Sequence, residues 1–189
     1  MKYFLLLAVV VVSAAVFVSA STSCSLSAAS TNGAAVLPSE PTAADPIGTP
    51  SASDEVFDGK KLVRSEAEWK KLLTPAEYHI LREDGTDYPY KSQYHDSKEE
   101  GDYHCAACNL KLFSSKTKFD SGTGWPSFYQ PVNKKNVVEK VDRSLGEVRT
   151  EIECARCGGH IGHVFDDGPE PTGLRYCMNG TSLKFEKTK

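Results

Sequence analysis

The rhythm of hydrophobic and polar positions changes three times along this chain. Residues 2–18 open with one lysine and then run apolar, broken only by Ser13. Residues 21–54 are rich in Ser, Ala, Thr and Pro, with few large apolar side chains. Beyond them the periodicities of folded elements begin. Ser65 followed three residues later by Glu68 is a capping box, and Trp69, Leu72 and Leu73 follow at helical spacing. Thr74-Pro75-Ala76-Glu77 predicts a second helix, with a cap, a proline at the first helical position and a glutamate at the third. That helix carries Tyr78, Ile80 and Leu81 and is expected to stop near Gly85. Segments 136–141, 147–153, 175–178 and 182–186 alternate or are β-branched, with Gly, Pro and Asp clusters between them. The pattern predicts a mainly β fold: two short helices leading into an antiparallel β domain over residues 55–189.

The first two stretches set the expected organisation. The small residues Val18 and Ala20 stand where a signal peptidase reads, so residues 1–20 are expected to be a signal peptide cut after Ala20. The alternative is an uncleaved membrane anchor, although the run falls just short of the roughly 20 apolar residues of a spanning helix. A lipoprotein anchored at Cys24 is a third reading, for which Ser21-Thr22-Ser23 is a poor lead-in. Residues 21–54 cannot bury enough apolar surface to offset the entropy of ordering and read as a disordered linker. The expected destination is the secretory pathway: secreted, endoplasmic reticulum lumen or periplasm. Glu186-Lys187-Thr188-Lys189 is no luminal retention signal, which favours export. The formal charge is −3 with no basic block, so the electrostatic footprint of a nucleic-acid binder is missing.

The six cysteines sort into unequal groups. Cys105-Ala106-Ala107-Cys108 and Cys154-Ala155-Arg156-Cys157 are matched pairs. Two intervening residues let both thiolates of a turn face one ion, and two such turns make the four-thiolate set of a structural zinc site. Disulfides, encouraged by a secretory route, and a redox-active CxxC are the competing uses. The wide gap between the pairs means the ion would clamp distant parts of the chain, and Gly158-Gly159 allows a tight turn after the second pair.

Cys177 stands alone in Arg175-Tyr176-Cys177-Met178-Asn179. On a strand Arg175, Cys177 and Asn179 share a face, so the guanidinium can favour a thiolate. His160 and His163 precede the turn Phe165-Asp166-Asp167-Gly168-Pro169, and a glycine-rich loop leads into Trp125-Pro126. Each feature alone has an ordinary structural use; their joint occurrence points to a nucleophilic cysteine with acid–base neighbours.

Asp120-Ser-Gly-Thr-Gly-Trp-Pro-Ser-Phe128, Gly162-His-Val-Phe-Asp-Asp-Gly-Pro169, Thr172-Gly-Leu-Arg-Tyr-Cys-Met-Asn179 and the two CxxC pairs resemble the methionine sulfoxide reductase B family, over about residues 66–185. The resemblance implies a β-tent of two antiparallel sheets, one structural zinc on Cys105, Cys108, Cys154 and Cys157, and reduction of the R epimer of methionine sulfoxide, free or, preferentially, in oxidised proteins. It implies Cys177 as nucleophile, passing through a sulfenic acid, and His163 as the group that protonates the sulfoxide oxygen. His160 and Asp167 match positions that support this polar network. Asn179 is expected to orient a histidine, Arg175 to stabilise negative charge, and Trp125 with Phe165 to hold the substrate. A monomer acting with thioredoxin or another thiol reductant is expected, without stable membrane association once the signal is removed.

The chain departs from the family at one place. Many members carry a resolving cysteine before the tryptophan, but residues 116–124 contain none, and Thr123 precedes the glycine beside Trp125. An external thiol is the expected reductant, with Cys24 on its flexible linker as the alternative resolving thiol. Asn179-Gly180-Thr181 is also a formal glycosylation sequon, expected to stay unmodified because its strand is buried soon after synthesis or because the host does not glycosylate.

Overall fold

The computed structural model describes residues 56–144 and 146–188. The expected signal peptide, the linker and Cys24 lie outside the described residues. Both helices begin where the caps placed them. Helix α1 spans Glu66–Leu72 with a complete Ser65/Glu68 capping box and a buried Trp69. Helix α2 spans Pro75–Arg82 with the reciprocal Thr74/Glu77 box, and it buries Tyr78, Ile80 and Leu81. It ends one turn short of Gly85, with Glu83 as its C-cap. Arg64 and Arg82 each lie over the Trp69 indole, at 5.8 and 5.3 Å from its ring. Among the described residues no helix is long and apolar enough to cross a membrane.

The remainder is β. The strands are β1 (Gly101–Cys105), β2 (Lys111–Ser114), β3 (Lys118–Phe119), β4 (Ser127–Phe128), β5 (Val137–Asp142), β6 (Arg149–Cys154), β7 (His160–Phe165), β8 (Arg175–Met178) and β9 (Leu183–Lys187). They form a three-stranded sheet in the order β2-β1-β9 and a six-stranded sheet in the order β3-β4-β8-β7-β6-β5. Every pairing is antiparallel. Strand β8 has the predicted bounds. Strands β1 and β7 escape the pattern because histidines, cysteines and glycines interrupt their apolar alternation, and β2, β3 and β4 escape it because two to four residues are too few to show a period.

Aromatic side chains join the sheets. Phe113 on β2 stacks on Phe128 of β4 with centroids 4.6 Å apart, and Tyr103 on β1 meets the same ring edge-on at 5.0 Å. Phe113 also contacts Tyr176 of β8 at 5.8 Å. All four rings are at most 1% exposed. Such pairs add about 0.5–1.5 kcal/mol each beyond the area they bury. Since directly paired residues share a face, Ile152, Met178, Tyr176 and Phe128 turn inward while their alternating neighbours turn outward. That outward face carries the site.

Candidate active site

Register assembles the outward face. His163 of β7 is paired with Cys177 of β8 on one side and with Glu151 of β6 on the other. Phe165 is paired with Arg175, and Ser127 of β4 with Cys177. With a side-chain period of two, Arg149, Glu151, His163, Phe165, Arg175, Cys177 and Ser127 share one face. Close approach of β7 to β8 depends on Gly162, where a Cβ would lie 2.2 Å from the carbonyl oxygen of Cys177.

A cavity of about 140 Å3 opens at this face, lined by Thr86, Trp125, Arg149, Gly162, His163, Phe165, Cys177 and Asn179. It is smaller than the roughly 300–1,000 Å3 of sites for drug-sized ligands and suits a single side chain. Of the expected residues, Cys177, His163, Trp125, Phe165 and Asn179 line it. His160, Asp167 and Arg175 are not among its lining residues.

The Cys177 sulfur sits among hydroxyls. Thr123 Oγ1 is 3.9 Å from its Sγ. Ser121 Oγ lies 2.8 Å from both Thr123 Oγ1 and Ser127 Oγ. Arg175 was expected to favour the thiolate. Burial instead pushes the Cys177 thiol up, against the opposing pull of Arg175, Thr123 and Ser127. Arg175 is itself held in place: its Nε and Nη2 donate to the two carboxylate oxygens of Asp167, both at 2.8 Å, and its guanidinium lies 4.4 Å from the Phe165 ring centre. Asp167 therefore reaches the site through Arg175 rather than through the histidines.

The histidines have other partners. His163 Nε2 is 2.9 Å from Asp142 Oδ2. Burial lowers the His163 pKa, opposed by the Asp142 bond and reinforced by Arg149 and His160. His160 is 3% exposed, with Nδ1 2.6 Å from Glu151 Oε1 and its ring edge-on to His163 at 5.4 Å. The Asn179 amide oxygen accepts the Asp87 N–H at 3.0 Å, so it orients residues 86–90 rather than a histidine. Asn179 is 4% exposed.

Sequence reasoning passed over Asp87, Asp142, Arg149 and Glu151. Asp87 joins three parts of the site: its carbonyl accepts Trp125 Nε1–H at 3.0 Å, its carboxylate accepts the Thr181 N–H at 2.9 Å, and its own N–H is bound by Asn179. A lone aspartate in a Gly-Thr-Asp-Tyr-Pro segment reads as a turn. Arg149 and Glu151 lie on a strand that was expected, and alternation marked their face but not their partners.

The four paired cysteines converge, and none forms a disulfide. Their sulfurs lie within 4.8 Å of one another and could hold one metal ion. Cys105 and Cys157 sulfurs are 3.7 Å apart, and those of Cys108 and Cys154 are 3.5 Å apart. A tetrahedron with sulfur–metal bonds of about 2.3 Å has edges of about 3.8 Å, so the donor set fits. Each pair opens the turn of a hairpin, β1–β2 and β6–β7, with the same closure. Asn109 N–H donates to the Cys105 carbonyl and Gly158 N–H to the Cys154 carbonyl, both at 2.8 Å. Asn109 and Gly158 have φ of 60° and 65°, the left-handed conformation glycine and asparagine tolerate. One hairpin belongs to each sheet, so a bound ion would tie the sheets together.

The SelR domain family model matches residues 73–187. Over 126 residues the chain is 58% identical to "Peptide methionine sulfoxide reductase MsrB" of Agrobacterium fabrum, covering 67% of this chain and 93% of that protein. A protein of the same description from Leptospira interrogans is 56% identical over 124 residues, covering 66% of this chain and 95% of the relative. One from Methanosarcina barkeri is 54% identical over 127 residues, 67% and 89% of the two chains. The specific loop, the paired cysteine turns and the match across both sheets agree: the chain belongs to the methionine sulfoxide reductase B (SelR) family.

Proposed function

We propose that this protein reduces the R epimer of methionine sulfoxide, in oxidised proteins and as the free amino acid, through a sulfenic acid on Cys177. The observation that carries the reading is the ladder pairing of Cys177 with His163 in a side-chain-sized cavity walled by Trp125. The Cys177 sulfur attacks the sulfoxide sulfur, oxygen passes to the cysteine, and methionine leaves. The substrate sulfur gains two electrons and the cysteine sulfur loses two. The thiol proton ends on the transferred oxygen, so the step draws no net proton from solvent.

The resting site is arranged for that proton. Burial keeps it on Cys177 and keeps His163 neutral. His163 can then take the thiol proton as the nucleophile attacks and deliver it to the sulfoxide oxygen, which departs only when protonated. Arg175, held by Asp167, supports the developing thiolate, and the Thr123 and Ser127 hydroxyls donate toward the same sulfur. Trp125 and Phe165 hold the methyl group, whose partial positive charge suits an aromatic face. His160 backs His163, and Asn179 keeps the Trp125 wall in place through Asp87.

The sulfenic acid is then reduced by an external thiol, thioredoxin or a small thiol. That thiol displaces water to form a mixed disulfide, and a second thiol releases Cys177. The cysteine-free loop before Trp125 supports this reading; Cys24 is the alternative resolving thiol. Cys105, Cys108, Cys154 and Cys157 would hold one zinc ion, whose contribution is structural because four thiolates leave no open position. Residues 1–20 act as a signal peptide, 21–54 as a linker and 55–189 as the catalytic domain, and the protein is exported to repair oxidised proteins as a monomer. The apolar run ending in Val18-Ser19-Ala20 supports this location.

Turnover of a dabsylated methionine R-sulfoxide with dithiothreitol tests the activity. Reduction of the R epimer alone is expected. Absence of turnover, or equal reduction of the S epimer, overturns it.

A further inference from the structure

His163 has two ring nitrogens, and the structure gives them different surroundings. Nε2 meets Asp142 Oδ2 at 2.9 Å. That same oxygen accepts from Arg149 Nη2 at 2.5 Å, while Asp142 Oδ1 accepts the Ser144 N–H at 2.8 Å. The other contacts to the carboxylate, from Arg149 and Ser144, are both donors, and both of its oxygens are engaged. A carboxylate so held accepts and does not donate. Nε2 must therefore carry the hydrogen, leaving Nδ1 as the bare nitrogen of the neutral ring.

We propose that Asp142, held by Arg149, is the positioning residue that fixes His163 in the Nε2–H tautomer and reserves Nδ1 for proton exchange with Cys177 and the sulfoxide oxygen. The β5–β6 register is built for this, since Asp142 and Arg149 are ladder partners one strand away from His163. The groups facing His163 are Asp142 from β5, Arg149 and Glu151 from β6, His160 from its own strand, and Cys177 and Arg175 from β8. Glu151 is taken by His160 and Arg175 by Asp167, which leaves Asp142 as the carboxylate that bonds His163. Asp142 is held well below the ordinary carboxylate range, first by its hydrogen bonds with Ser144 and then by His163, so its acceptor role persists through the working pH range. This inference rests on the sulfoxide reductase reading for its purpose, but not for its observable.

The tautomer is read directly, without substrate, from long-range proton–nitrogen correlations of His163 above neutral pH. The wild-type protein is expected to show protonated Nε2 and bare Nδ1. Asp142→Asn presents a donor as well as an acceptor and Asp142→Ala presents neither, so both are expected to give mixed tautomers. Turnover in both is expected to fall by about 10²-fold, as for loss of a positioned proton carrier. Metal content and melting temperature of the near-isosteric Asp142→Asn variant separate this loss from unfolding. A wild-type ring protonated on Nδ1, an Nε2–H pattern that survives Asp142→Ala, or unchanged turnover in a variant whose tautomer has shifted each overturns the inference. An expected tautomer in a protein that fails to reduce sulfoxide would instead refute the proposed activity.

Discussion

His163 and Cys177 are paired across the β7–β8 ladder, so an acid–base side chain and a thiol leave the sheet side by side without any loop to position them. Sites built on paired strands hold their geometry more tightly than sites on loops. Cys177→Ser keeps the volume and the register while removing the nucleophile. It is expected to abolish sulfoxide reduction with the melting temperature and metal content of the parent; both are read on the same purified sample.

The environment of this pair sets a pH dependence. Burial raises the Cys177 thiol, so its alkylation by iodoacetamide should have a midpoint above the free-thiol value of about 8.5. Burial lowers His163, so it stays neutral until the pH falls below the ordinary histidine value of about 6.5, and turnover should be lost on that acid side as the ring takes up a proton. The same shift makes the unfolded state bind more protons between the folded and unfolded pKa values of His163. Its contribution to stability therefore rises with pH across that window and is flat above it. Denaturant midpoints measured between pH 5 and pH 7 check the sign.

The metal site joins hairpins from different sheets, so its loss should be felt by the whole fold. Cys105→Ser is expected to yield protein without metal, with a melting temperature lower by about 10 °C or more, equivalent to a few kcal/mol for a domain of this size. Elemental analysis and a thermal melt measure both quantities. The parent is expected to carry one zinc ion per chain.

Trp125 does two things that a variant pair can separate. Trp125→Phe keeps an aromatic wall and deletes the Nε1–H bond to the Asp87 carbonyl. A loss of about 1 kcal/mol of stability with a small rise in KM is expected. Trp125→Ala removes the wall as well, and KM should rise much further. Steady-state kinetics on both variants distinguish the roles.

Gly162 tests the register itself. An added Cβ would meet backbone atoms, the Cys177 carbonyl at 2.2 Å and Met178 Cα at 2.9 Å, neither of which can turn aside. Gly162→Ala is expected to destabilise the domain by about 1–3 kcal/mol and to lower turnover by displacing Cys177. Urea unfolding and activity on the same preparation check both effects.

Local chemistry made much of this legible in the sequence. The caps at Ser65 and Thr74 are short-range signals, and both helices start there. The paired CxxC turns carried their metal-binding arrangement in their spacing, although the link between two separate sheets depends on long-range pairing. Strand β7 was hidden because His160, Gly162 and His163 serve chemistry and close packing rather than apolar alternation. The partners of the site residues were hidden for a related reason. Asp142 meets His163 only through the β5–β6–β7 register, and Asp87 meets Trp125 and Asn179 only once the segment before β1 folds across the sheet. Arg175 was placed on the correct face, but sequence alone could not weigh its charge against the burial that dominates Cys177.

The most direct test of the account is a single turnover without reductant, followed by mass spectrometry of the protein. With a methionine R-sulfoxide peptide, one equivalent of methionine peptide should form per chain, and one oxygen should appear on Cys177, trapped by a sulfenic acid probe. Methionine release with no oxygen on Cys177 and no disulfide to it, or no release at all, would contradict the assignment of Cys177 as the attacking thiol.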